Sequence, residues 1–238
     1  MKAAMKKFSF FLCFWFISII AFPQWHWQNP LPCGNGLTSV WFTDTHTGYA
    51  VGSTGTLMQT NDGGVNWSVR CLSPYYDLYS ICFTNDSTGY IAGYAGGGII
   101  FKTTDAGTTW DTAHFGPEGK SLNSIFFVNE NTGYAVGSSG TVLKTTDAGM
   151  TWTTSSINYF YTLNSVFFTD VNTGYAVGSA NGVIFKTTDG GETWSQVSTG
   201  LSGSLNSVFF TAGDTGYVCG SYGALLKTVD AGVNWVVD

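Results

Sequence analysis

The chain has 238 residues, enough for one large all-β domain or two ordinary ones and too many to need disulfides in place of a core. Charged residues make up only 10%, apolar residues 44% and aromatics 16%, with 31 glycines, which excludes a coiled coil, long polar helices and acidic disorder. The 9 basic against 15 acidic residues, a net charge of −6, make nucleic acid a poor partner, because phosphate binding needs clustered cations.

Residues 1–22 follow a rule of their own. Lys2, Lys6 and Lys7 precede an uncharged run from Phe8 to Phe22, which reads as a secretory signal peptide. That run is shorter than the 18 or so residues of a bilayer span, so an uncleaved anchor is the weaker alternative, and no membrane span is expected after cleavage. Ala21 is small but Ile19 is bulky, so the cleavage site is not marked. Removing the segment takes away three lysines and leaves a charge of −9, 6 basic against 15 acidic residues. Cys13 lies inside the signal without the preceding small residue of a lipid-attachment cysteine. Cys33, Cys71, Cys82 and Cys219 remain, and in an oxidising compartment they permit two disulfides with three connectivities. Their irregular spacing favours free thiols, with Cys82 and Cys219 buried at strand positions. No C-x-x-C and no Cys/His cluster of metal spacing occurs, so neither a metal nor a cofactor is expected.

From residue 37 onward the chain repeats itself. TNDGGVNW (60–67), TTDAGTTW (103–110), TTDAGMTW (145–152), TTDGGETW (187–194) and TVDAGVNW (228–235) end at Trp67, Trp110, Trp152, Trp194 and Trp235, at intervals of 43, 42, 42 and 41. Upstream of each lies LTSVWF, LYSICF, LNSIFF, LNSVFF or LNSVFF, and between the two a TGY string such as TGYAVG. Each copy reads as four short strands with Asp, Asn, Gly or Ser at every reversal; in the fourth copy these are 163–168, 174–178, 183–188 and 194–198. The runs IFF, YAV and VIF are almost continuously apolar, so both faces of each sheet must be covered. Antiparallel sheets that cover one another in a circle form a β-propeller, and four strands per 42 residues suit a blade better than a solenoid coil. The expected fold is therefore all-β, with blades at about 37–72, 78–114, 122–156, 163–198 and 205–238. Residues 23–36 form an N-terminal segment whose WHWQNPLP (25–32) is expected to pair as a closing outer strand, because Trp25 precedes Trp67 by one repeat length. If the arc stayed open, it would expose an apolar face prone to self-association.

The recurring Asp-to-Trp segment reads as a mechanical staple. Its aspartates, Asp62, Asp105, Asp147, Asp189 and Asp230, are expected to accept backbone amides two and three residues on. Gly64, Gly107, Gly149, Gly191 and Gly232 supply positive φ, and each Trp opens the outer strand and fills the crevice between blades.

The pattern S/T-x-D-x-G-x-T/N-W resembles the Asp-box, or bacterial neuraminidase repeat. With the LNSVFF and TGYAVG strings it is similar to the repeat of photosystem II assembly/stability factor-like propellers, over residues 37–238. Likeness to sialidases and related glycoside hydrolases implies three arginines on a substrate carboxylate and a Tyr nucleophile. The chain has one arginine, Arg70, and lysine cannot reproduce the bidentate fork, so that site is excluded. Asp170 with Glu192 is a carboxylate pair that no spacing singles out. Likeness to the photosynthetic factor implies a chaperone of a membrane complex with an arginine-rich patch on a seven-bladed ring, which five copies and one arginine do not reproduce.

What the residues favour is a non-catalytic exported module that binds a protein or a glycan. Reversals 1–2 and 3–4 fall on one face of the disc and hardly vary, whereas reversals 2–3 and links 4–1 fall on the other and do. The variable face is expected to collect Tyr75, Tyr76, Tyr94, Phe115, Tyr159, Phe160, Tyr161 and Tyr222, residue types that give contact area at little entropic cost. The alternative is that these rings fold back over the seams between blades. Lys102, Lys144, Lys186 and Lys227 recur on the third strand, where stems pack on the blade while heads reach water or a local acceptor. The acidic TGY turns suit tight reversals better than calcium, since the ligand series of a calcium loop is missing.

Overall fold

The computed structural model describes residues 34–157, 160–179 and 181–237, all within one compact unit that runs from Pro32 to Asp238. The expected signal peptide, Cys13, Cys33 and the proposed closing strand 25–32 lie outside the described residues.

Five antiparallel four-stranded sheets follow one another in chain order, each a meander of adjacent strands. The first contains β1 (Leu37–Phe42), β2 (Gly48–Gly52), β3 (Thr56–Thr60) and β4 (Ser68–Cys71). The second contains β5 (Asp77–Phe83), β6 (Gly89–Tyr94), β7 (Gly97–Thr103) and β8 (Asp111–Glu118). In the third they are β9 (Leu122–Phe127), β10 (Gly133–Gly137), β11 (Thr141–Thr145) and β12 (Thr153–Ser156). The fourth has β13 (Leu163–Phe168), β14 (Gly174–Gly178), β15 (Ile184–Thr187) and β16 (Ser195–Val197). The fifth has β17 (Leu205–Phe210), β18 (Gly216–Gly220), β19 (Leu225–Thr228) and β20 (Val236–Val237). The only helical elements among the described residues are single 3-10 turns, Ser138–Gly140 and Ser221–Gly223, which close the second-to-third reversals. These are the blades of a β-propeller.

The middle strands are buried on both faces, as their unbroken apolar runs require; β2, β10 and β14 are buried at every residue. Side chains alternate between the two neighbouring blades. Tyr134, Val136 and Val142 of the third blade join Leu163, Val166, Phe168, Ala176 and Phe185 of the fourth in one cluster. Equivalent clusters fill the other seams.

Each seam carries the same stack of rings. The Tyr of the second strand lies on the Phe that ends the next blade's first strand: Tyr49 on Phe83 at 4.4 Å, Tyr90 on Phe127 at 4.0 Å, Tyr134 on Phe168 at 3.7 Å and Tyr175 on Phe210 at 4.2 Å between centroids. That Phe meets the Trp of its own blade edge-on, as in Phe168–Trp194 at 5.9 Å and 87°. The first Gly of each TGY string faces the same ring across the ladder. A Cβ on Gly174 would sit 2.5 Å from Phe168, so only hydrogen leaves room for the stack.

The shared L-N-S string also serves the seam. Asn123 and Asn164 donate to the carbonyls of Leu163 and Leu205 in the next blade at 2.9 and 2.8 Å, and Thr38 does the same to Leu78 at 2.7 Å. Ser39, Ser80, Ser124 and Ser165 accept the amides of Ile81, Ile125, Val166 and Val208 at 3.2–3.3 Å. Adjacent blades are thus zipped by hydrogen bonds as well as by apolar burial.

Cys82 is buried, as expected, and desolvation pushes its thiol up to about 12. Cys219 is exposed, contrary to expectation. It occupies the place of Val51, Ala92, Val136 and Val177, all fully buried against a following blade, but among the described residues no blade follows the fifth. Cys71, Cys82 and Cys219 are all free thiols.

Candidate functional site

The two faces of the arc are built differently. On one lie the Asp-box loops and the TGY turns, tied together by backbone bonds such as Ala148 N to Asn131 O at 2.9 Å and Gly190 N to Asn172 O at 2.8 Å. On the other, the link between blades bonds to the second-to-third reversal, as in Gly55 N to Tyr76 O, at 2.5 Å, and Gly182 N to Gly203 O, at 2.6 Å.

Within each Asp-box the buried Thr that ends the third strand is the hub. Thr145 donates to Asp147 Oδ1 at 2.8 Å and accepts the amide of Gly149 at 2.9 Å; Thr60, Thr103, Thr187 and Thr228 repeat the pattern. The aspartate reaches farther than expected. Asp147 accepts the amide and the hydroxyl of Thr151, four residues on, because the intervening Ala148 and Gly149 both adopt positive φ and widen the loop. These bonds hold Asp147, Asp189 and Asp230 down to about 2, with the residue four positions on as the main cause, and lower Asp62 and Asp105 likewise. Such carboxylates are firmly ionised acceptors, not proton donors.

The remaining candidates for chemistry are also committed to structure. Asp170 caps its own turn through the amides of Asn172 and Thr173, and Glu192 pairs with Lys144 at 2.8 Å. Arg70 donates across the first seam to the carbonyls of Gly107 and Thr108. Lys102 and Lys186 donate to Ala148 O and Ala231 O in the next blade, beside Tyr90 and Tyr175, whose hydroxyls donate to the same carbonyls. Lys227 lies over the Tyr217 ring at 5.6 Å. The recurring lysines therefore meet local partners.

The aromatic residues of the varied face divide into two groups. Tyr75 is 87% exposed and Tyr222 97%, the latter at positive φ on the tip of a 3-10 turn. Phe160 is also exposed. Phe115 is exposed too, but it sits within β8 opposite Ile99, not in a link, because β8 runs on to Glu118. Tyr76 and Tyr161 turn back into the seams, with centroids 5.9 Å from Phe101 and 5.6 Å from Phe185. Tyr94 is half-buried at the end of β6, paired with Gly98. Tyr159 lies outside the described residues. Sequence reasoning missed the Thr hub, although its signal, a Thr opening every Asp-box, was in the repeat.

Comparison with known proteins decides the family. The family model described as Photosynthesis system II assembly factor YCF48 matches residues 19–118 and 156–237. The chain belongs to this family. A curated relative, the photosystem II assembly lipoprotein Ycf48 of Synechococcus sp. (strain CC9902), is 37% identical over 73 residues, 29% of this chain and 21% of that protein. The match therefore spans about a fifth of that relative's length. A solved structure of YCF48 bound to D1 peptide superposes over 87% of this chain and 83% of its own, with TM-score 0.52 and 22% identity. The Niastella koreensis GH74 enzyme superposes over 86% of this chain and 37% of its own, with TM-score 0.67 and 20% identity. The latter two likenesses are ones of fold alone.

Proposed function

We propose that this chain is an exported, non-catalytic assembly factor that holds an extended polypeptide segment of a client protein against the varied face of its propeller. The observation that carries the reading is the exposure of Tyr75, Phe160 and Tyr222 in the loops of that face, away from the Asp-box loops, with Phe115 exposed on β8. Exposed aromatic anchors on a rigid scaffold suit polypeptide recognition, since they supply area at little entropic cost. Family membership supports a protein client over a glycan, and the related YCF48 is one that binds a D1 peptide. With Arg70 spent in a seam, recognition of the client here rests on rings and backbone, not on an arginine patch. The proposed signal peptide at 1–22 puts the client in the envelope or beyond, which fits the lipoprotein name of the cyanobacterial relative.

The Asp-box carboxylates support the non-catalytic reading, since acid catalysis in glycoside hydrolysis needs a raised pKa and theirs are lowered. The test is capture of envelope polypeptides by the chain and by a Tyr75→Ser, Phe115→Ser, Phe160→Ser, Tyr222→Ser variant. A client retained by the first and lost by the second is expected; equal retention overturns the choice of face. Turnover of an aryl glycoside that one acidic substitution abolishes would overturn the non-catalytic reading.

A further inference from the structure

The second blade departs from the repeat. Its β7 has 7 residues and β8 has 8, longer than the third and fourth strands of every other blade, and β8 shifts register against β7 at two places. Bulges re-aim side chains, and here they bring His114, Gly116 and Gly98 together where the second blade meets the third. A Cβ on Gly116 would sit 3.3 Å from His114 Nε2, and one on Gly98 would sit 2.9 Å from Leu122, so bare backbone at both positions keeps a slot open in the seam. Thr141 and Leu143 of β11 and Thr154 of β12 line it from the third blade, and Lys120 lines it from the link. The slot has about 30 Å³ of room for water-sized groups, enough for about two of them, and its walls are mostly apolar.

Its polar groups are unspent. Thr141 is only 6% exposed, yet its hydroxyl is buried with no hydrogen-bond partner among the described residues. The same place in other blades holds Ile99 and Val183, which have nothing to satisfy, or Thr56, whose hydroxyl donates to Ser53 O at 2.8 Å and accepts from Asn35 at 2.8 Å. Burying a hydroxyl without a partner is costly, so a Thr where Ile and Val pack equally well points to a group that it meets there. The side chains of His114 and Lys120 also have no hydrogen-bond or ion-pair partner among the described residues. His114 is half-buried and desolvation lowers its pKa, so near neutral pH its ring offers a neutral N–H, and the positive charge is that of Lys120. No carboxylate lines the slot.

We propose that this slot receives a carboxylate of the client polypeptide, its oxygens taking the Thr141 hydroxyl, the His114 N–H and the Lys120 ammonium, its carbon atoms lying on Leu122, Leu143 and Pro117. A carboxylate fits because all three polar groups can donate, one of them is a cation, and the room is that of two oxygens. The inference rests on the polypeptide-client reading and deepens it: the slot lies beside the link that carries Lys120 and the turn Ser138–Gly140, both on the varied face.

The test follows the ring resonances of His114 in the isotope-labelled full chain during titration with small probes over about 0.1–50 mM, the range of a single side-chain contact. N-acetylglutamate α-amide offers a side-chain carboxylate, N-acetylglycine a C-terminal one, and N-acetylglutamine α-amide the neutral isostere. Saturable shifts are expected from a carboxylate and not from the isostere, and the tighter of the two carboxylates tells which end of a client enters. Thr141→Val and Lys120→Met should each weaken that binding about tenfold. Valine already fills this place in the fourth blade, so Thr141→Val should keep the fold, with a melting temperature unchanged or raised. Three results overturn the proposal: no saturation by either carboxylate, equal saturation by the glutamine isostere, or unchanged affinity in Thr141→Val. The probes need no client, so silence here leaves the client reading to its own capture test, and a failed capture leaves the carboxylate result standing.

Discussion

Tyr134 and Tyr222 are the same residue type in one repeat protein, and one is 0% exposed while the other is 97% exposed. In the seam, Tyr134 stacks on Phe168 and its hydroxyl donates to Gly190 O at 2.9 Å, with burial holding it protonated up to about 12. On the varied face, Tyr222 stands on a turn whose backbone is already closed by Ala224 N to Ser221 O at 3.2 Å, so its ring is not needed for folding. The difference teaches that in a repeat protein the recurring aromatics are structure, whereas an irregular one is left exposed only where no seam receives it, as Tyr222 is and Tyr76 and Tyr161 are not. Residue type alone does not distinguish them.

The comparison breaks most visibly at the stacked ring. Phe168→Ala should cost about 3–5 kcal/mol in chemical denaturation, as large buried truncations do, whereas Phe42→Ala, at the half-open first blade, should cost well under half of that. Equal losses would mean that the seam is not what holds the blades. Next comes the hub of the Asp-box. Thr145→Val keeps the shape but strands the Gly149 amide, with an expected loss of about 1–3 kcal/mol. Tyr134→Phe removes only the hydroxyl that meets Gly190 and should cost about 1 kcal/mol.

Acidity sharpens the same contrast. Asp147, Asp189 and Asp230 are held near 2 in the folded chain, below their value of about 3.9 when unfolded. A depressed folded value stabilises fully above the unfolded one and is lost as pH falls towards the folded one. Melting temperatures should therefore drop between about pH 4 and 2, and an Asp→Asn triple variant at these positions should lose less across that window. The smallest effect belongs to the varied face: Tyr75→Ser and Tyr222→Ser should each change stability by no more than about 0.5 kcal/mol. A larger loss would make those rings part of the fold and remove the basis of the proposed client surface.

Much of the architecture was legible because packing requirements recur with the blades. The fourth blade's third and fourth strands were expected at 183–188 and 194–198 and occur at Ile184–Thr187 and Ser195–Val197, since Gly and Asp mark the turns on either side. The Asp-box was legible as a staple, but its reach was not: acceptance four residues on depends on two successive positive-φ residues, which only backbone geometry reveals. The candidate face was legible in part. Tyr75 and Tyr222 point to solvent, yet Tyr76, one residue from Tyr75, packs on Phe101, because a link between blades must turn one side chain into the seam it crosses. Arg70 entered the sequence reading only as the one arginine; its role as a tie between blades is visible only in the structure.

The amino-acid sequence by itself determined the unit, its four strands, the number of copies and the excess of acid that disfavours nucleic acid, because each follows from periodicity or composition. Only the tertiary structure decided which side of each blade a residue serves and whether anything covers it. Cys219 occupies a position buried in every earlier blade and is exposed in its own, because burial belongs to the pair of blades and not to the repeat.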